Sequence, residues 1–200
     1  MTLKERFNNY RKKKSPFSIA SDIIFILLLI ALLFPSSRMA VVSTIKRITL
    51  FAPSANSPEN REALSETVYQ WPFENQNGNR TTLSAMEGEV VFLNFWATWC
   101  PPCVAEMPSM QKLYNEYGEK VEFVLMTNEK RKVVDAFMER KGYDMPIYYN
   151  RTPVPEELKT GSIPTTYIIS KEGEIVLEEK GAAKWHSNKV KNMLDDLIKK

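Results

Sequence analysis

Both cysteines of this 200-residue chain fall in one string, Trp99-Cys100-Pro101-Pro102-Cys103, and what flanks that string narrows the folds open to the chain. Before it, Glu89 to Trp96 is an apolar run of strand length, suited to a buried central strand. After it, Met107, Met110, Leu113, Tyr114 and Tyr117 recur at helical spacing and stop at Gly118. The cysteines therefore stand where a strand hands over to a helix. A thiolate there faces unpaired backbone N–H groups and the positive end of the helix dipole, which lowers its pKa. The short spacer lets the second thiol reach back to close a small disulfide, and Pro101 and Pro102 remove two backbone N–H groups and stiffen the turn. So small a loop closes little chain entropy and makes a poor stability staple. A metal site would need more ligands, and His186 is the sole histidine. Redox catalysis is the reading that remains. Cys100 is expected to be the exposed nucleophile, and Cys103, in the first helical turn, the buried resolving thiol.

The rest of the body alternates strand and helix signals. Tyr69 to Glu74 and Arg80 to Leu83 flank Asn77-Gly78, which predicts a hairpin. Val121 to Met126 is the next strand, Val133, Val134, Phe137 and Met138 mark a helix, and Ile147 to Tyr149 is a short strand. Thr165 to Ser170 and Glu174 to Glu179 pair across Lys171-Glu172-Gly173. The last helix carries Val190, Met193, Leu194, Leu197 and Ile198 behind a cap at Ser187. This order predicts an α/β domain, a mixed central sheet covered by helices, with a β-hairpin extension at its N-terminal side.

Ahead of the domain, Phe17 to Phe34 is apolar, without a break from Ile23 onward. Eighteen helical residues span about 27 Å, close to the ~30 Å hydrocarbon core of a bilayer. Residues 1–16 carry a net charge of +5 and residues 61–200 one of −3. The basic tail keeps the N-terminus cytoplasmic by the positive-inside rule and places the domain on the other side of the membrane, periplasmic or otherwise extracytoplasmic. A cleaved signal peptide is the competing reading, and it leads to the same compartment. The expected organisation is a basic tail over 1–16, a transmembrane anchor over 17–34, a linker or juxtamembrane amphipathic segment over 35–64, and the folded domain over 65–200. With 44% hydrophobic residues the chain has enough apolar content for one core, and its mildly acidic body argues against nucleic-acid binding, which needs a basic face.

The string Phe95-Trp96-Ala97-Thr98-Trp99-Cys100-Pro101-Pro102-Cys103, with Pro108 beyond it and Ile163-Pro164-Thr165 ahead of a late strand, resembles the thioredoxin superfamily. The match is closer to the membrane-anchored TlpA/ResA-like thiol–disulfide oxidoreductases. The resemblance covers roughly residues 65–200. It implies a thioredoxin-like fold in which Pro164 is cis, Ile163 docks an extended substrate backbone, and Trp99 lines the docking surface. Thioredoxins proper carry a buried aspartate where this chain has Asn94, which cannot titrate. The ResA-like group instead carries a glutamate at the position of Glu106. Three residues beyond Cys103 on the same helix face, Glu106 could serve proton transfer at that thiol, or it could be a solvated surface glutamate.

The resemblance further implies a reductant of substrate-protein disulfides, charged by a membrane thiol-transporting reductase and acting in cytochrome c maturation. No cofactor is implied. The alternative from another class is a membrane-anchored copper-binding chaperone on the same fold, using both thiolates and a histidine.

Overall fold

The computed structural model describes residues 16–33, 50–55 and 62–200, with side chains of the first segment placed over 17–27. The chain divides into two units, Met1–Val42 and Ser43–Lys200. In the first, α1 (Pro16–Leu33) is an 18-residue helix over the apolar stretch. Among the described residues no helix is long and apolar enough to cross a membrane. The amphipathic segment expected in the linker lies largely outside the described residues.

The second unit holds a seven-stranded sheet in the order β2-β1-β5-β4-β3-β6-β7. Its strands are β1 (Pro72–Asn75), β2 (Arg80–Thr82), β3 (Val91–Phe95), β4 (Glu122–Thr127), β5 (Ile147–Tyr149), β6 (Thr165–Ile169) and β7 (Ile175–Lys180). Its helices are α2 (Glu66–Tyr69), α3 (Pro101–Tyr117), α4 (Arg131–Lys141) and α5 (Asn188–Lys199). β3, β4 and β5 run parallel; β6 and β7 add antiparallel on one side and β1 and β2 on the other. The sheet is mixed, and its pairings match the two expected hairpins.

Every residue of β3 is buried, because both of its faces are covered. Phe92, Phe123, Leu125, Tyr149 and Ile168 pack under α3, α4 and α5, while Leu93, Phe95, Val124, Met126 and Tyr167 face a second cluster. That second face is covered by short pieces: α2, the 3-10 turn Leu83–Met86 and the loop around Leu158. Two consecutive crossovers, β3-α3-β4 and β4-α4-β5, move across the sheet in the same direction, so right-handedness puts both helices on one face.

The first hairpin strand begins later than its sequence suggests. Tyr69 ends the helical turn α2 and only Pro72 onward is strand. Val68 and Trp71, three apart, both turn into the second cluster, a spacing that a helical turn satisfies and a strand does not. Residues expected to be linker also join the domain. Ala63 bridges Glu174, Leu64 N–H donates to Gly173 at 2.9 Å, and the Phe51 carbonyl accepts from Lys184 N–H at 2.9 Å.

Candidate active site

The strand β3 ends beside the loop 96–99, which delivers Cys100 to the N-terminus of α3. Cys100 is the N-cap residue and its sulfur accepts from Cys103 N–H at 3.3 Å, with Pro101 and Pro102 filling the first helical positions where no N–H is missed. The two cysteines are joined in a disulfide with Cα atoms 5.3 Å apart, inside the ordinary range for such bridges. Across from them, Ile163–Pro164 is a cis peptide. The Ile163 carbonyl oxygen stands 3.7 Å from Cys100 Sγ.

The expectation of an exposed Cys100 needs correction. In the disulfide form Cys100 is 3% exposed, hardly more than Cys103 at 0%. The helix terminus covers its sulfur on one side and the Ile163 carbonyl on the other, so access comes through the neighbouring surface. Trp99, 62% exposed, stands at that surface, whereas Trp96 is buried against Phe137.

Glu106 departs furthest from a surface glutamate: it is 0% exposed. Its Oε2 accepts from Trp185 Nε1–H at 2.9 Å and from Ala183 N–H at 3.1 Å, and its Oε1 accepts from the Asn94 amide at 3.0 Å. Burial pushes the carboxyl up to about 8, against the three donors, which pull the other way; Glu179 adds a smaller upward push. The donors all approach the carboxylate, and among the described residues no hydrogen bond links Glu106 to Cys103 in the disulfide form. The Asn94 amide also donates to Thr166 Oγ1 at 2.8 Å, leaving its own Oδ1 buried without a partner. Turning that amide over would offer the oxygen to a protonated Glu106.

His186 lies away from this network in its contacts, with Nε2 3.0 Å from Glu116 Oε2. Among the described residues no group of three or more His, Cys, Asp or Glu is placed to hold a metal ion.

The comparisons with known proteins fit this geometry. A family model described as Redoxin matches residues 52–197. The thiol-disulfide oxidoreductase ResA of Oceanobacillus iheyensis is 36% identical over 84% of this chain and 83% of its own length. The chain belongs to the redoxin family, in its TlpA/ResA-like group. ResA of Bacillus subtilis is 35% identical over 58% of this chain and 68% of its own length. Among solved structures, a secreted thiol-disulfide isomerase from Corynebacterium glutamicum superposes with a TM-score of 0.55 at 20% identity, covering 74% of this chain and 98% of that one; at that identity the likeness concerns the thioredoxin-like fold alone. As a ResA-like redoxin the protein is a thiol–disulfide oxidoreductase, and its substrates are proteins that carry disulfides.

Several residues of this redoxin's site carried no sequence signal. Trp185 and Ala183 reach Glu106 from 79 and 77 positions away, and no local pattern announces such a pairing. Glu129, whose carboxylate accepts from Thr98 N–H and Thr98 Oγ1–H in the loop before Cys100, follows an ordinary strand end and reads like any charged loop residue.

Proposed function

We propose that the protein is a membrane-anchored, extracytoplasmic reductant that delivers two electrons from the Cys100–Cys103 dithiol to disulfides of substrate proteins, with apocytochrome c among them. The observation that carries the redox reading is Cys100 Sγ at the cap of α3, accepting Cys103 N–H at 3.3 Å, which favours a thiolate at that sulfur. The anchor is supported by the apolar stretch 17–34 behind a +5 tail.

In the forward half-reaction the Cys100 thiolate attacks a substrate disulfide and expels one substrate thiolate, leaving a mixed disulfide. Cys103 then loses its proton, attacks Cys100 Sγ and expels the second substrate thiolate, and the internal disulfide forms. Glu106, one turn below Cys103, is the proton acceptor when ionised. In the reverse half-reaction a membrane thiol-transporting reductase opens the disulfide; Cys103 leaves as a thiolate and a protonated Glu106 returns the proton. The Ile163 carbonyl and the exposed Trp99 offer the substrate backbone an acceptor and an apolar platform beside the sulfur.

The test is trapping. With Cys103→Ala in the native host, mixed disulfides should accumulate, map to Cys100 and contain the substrate proteins. Absence of such adducts, together with no reduction of a protein disulfide by the wild-type dithiol, overturns the reading.

A further inference from the structure

Two loops meet at the redox centre, and one residue between them touches both, the first through its side chain and the second through its backbone. The first, residues 96–99, carries Trp99 and ends in Cys100; the second, residues 150–164, runs from β5 to the Ile163–Pro164 turn. Glu129, in the connection from β4 to α4, takes both donors of Thr98 with both of its carboxylate oxygens: Thr98 N–H at 2.6 Å and Thr98 Oγ1–H at 2.8 Å. The Glu129 carbonyl in turn accepts from Arg151 at 3.4 Å, and its N–H donates to Thr127 Oγ1 at 3.3 Å. Arg151 is itself fixed to the sheet, 3.6 Å from Glu74 and 5.2 Å from the centre of the Tyr149 ring. A continuous set of contacts therefore runs from the sheet through Arg151 and Glu129 to Thr98, two residues before the reactive sulfur.

Charge-assisted bonds to a carboxylate are about twice as strong as neutral ones, and a paired grip on one residue sets direction as well as distance. The neighbouring contacts, Trp96 N–H to the Met126 carbonyl at 3.1 Å and Cys100 N–H to the Ala97 carbonyl at 3.2 Å, hold the two ends of this loop but leave Thr98 itself to Glu129. Cys100 Sγ must keep its line to Cys103 N–H for the helix terminus to stabilise a thiolate.

We propose that Glu129 is a positioning residue for the redox reaction: by clamping Thr98 to the sheet it holds Cys100 Sγ on the axis of α3 and keeps Trp99 in register with the Ile163–Pro164 turn. It touches neither sulfur and acts through Thr98. The inference rests on Cys100 being the attacking thiol.

The experiment uses the full chain in a Cys103→Ser background, where Cys100 is the lone thiol, and follows its alkylation by iodoacetamide across pH. Exchange with a small aromatic disulfide is measured in parallel with both cysteines present. Thr98→Val keeps the carboxylate and removes one donor, Thr98→Ser keeps the hydroxyl, and Glu129→Ala removes the clamp. Thr98→Val should move the alkylation profile to higher pH and slow exchange about tenfold, within the range that small misplacements of reacting groups produce. Glu129→Ala should slow exchange alike, with a smaller profile shift because the lost negative charge by itself eases thiolate formation. Thr98→Ser should behave as the parent, and Glu129→Ala should mask Thr98→Val in the double variant. Should Glu129→Ala fail to fold, the Thr98→Val and Thr98→Ser pair decides the matter alone. Wild-type rates and profiles in folded variants would overturn the inference, as would slower exchange with an unmoved alkylation profile, which marks a merely structural clamp. A parent whose Cys100 is unreactive at every pH would overturn the nucleophile assignment and the inference with it.

Discussion

Glu106 is a carboxyl that burial and hydrogen bonding pull in opposite directions. Full desolvation favours the acid, three donors favour the anion, and burial prevails, holding the group near pH 8. Since the folded value lies above the unfolded one, around 4.3, the folded protein keeps a proton that the unfolded chain has released. Stability from this group is fully present below about pH 4 and is lost as pH rises toward 8. Chemical denaturation of wild type and Glu106→Gln at a series of pH values should show that slope in the former and its absence in the latter. The same titration divides the catalytic cycle. Resolution by Cys103 needs the anion and should quicken as pH rises through about 8, whereas reopening of the disulfide draws on the acid and should be favoured below it. Glu106→Gln should flatten both profiles and slow each half-reaction by about 10²-fold, the lower end of general acid–base catalysis. Single-turnover kinetics of the two halves reads this directly; unchanged profiles would remove Glu106 from the proton path.

At the scale of the element, α3 is where the reactive sulfur and its proton partner are brought to one axis. Its start is encoded in the Cys100 cap and the two prolines; Pro108 sits inside it, where it cannot donate to the carbonyl four residues back. Next to it, Ser109 donates its hydroxyl to the Glu106 carbonyl at 2.8 Å and accepts from Trp185 N–H at 3.2 Å, which ties the helix to the loop that covers Glu106. The far end depends on Gly118 for an unexpected reason. Its φ of −64° is available to any residue, but a Cβ there would stand 2.8 Å from the Tyr114 carbonyl oxygen and 2.7 Å from the Tyr114 ring. Gly118→Ala should therefore lower stability by about 1–3 kcal/mol, the usual cost of overpacking. Gly161→Ala, with nothing within 4 Å of the added atom, should be neutral or gain up to ~1 kcal/mol from a stiffer unfolded chain. Denaturant midpoints of the two variants provide the comparison.

For the whole molecule, the sheet order puts the two parallel crossovers on one face and leaves the loops of the site at the carboxyl ends of β3, β4 and β5. α3 faces the core and presents its N-terminus, with Cys100, at the carboxyl end of the interior strand β3. The proposed topology gives a measurement at this scale. In intact cells, reduced Cys100 of the full chain should react with a membrane-impermeant maleimide, and labelling confined to lysed cells would place the domain on the cytoplasmic side instead.

What the sequence by itself determined is what local chemistry dictates. The apolar run into β3, the capped start of α3 and the periodic faces of α4 and α5 follow from burial and backbone satisfaction within a few turns of chain, and the cysteine pair at their junction announced the redox chemistry. Asn94, Glu106, Pro164 and Ile163 drew attention through resemblance, yet the state of Glu106 was open, since a helix-face glutamate three residues past a cysteine reads alike whether wet or dry. Only the tertiary structure decided it, by closing Trp185 and Ala183 over the carboxyl from nearly eighty residues away. It likewise buried Cys100 under the Ile163 carbonyl and brought Glu129 onto Thr98 from 31 residues away. These contacts are set by which strands lie side by side, a consequence of the global balance of burial and chain entropy rather than of any short pattern.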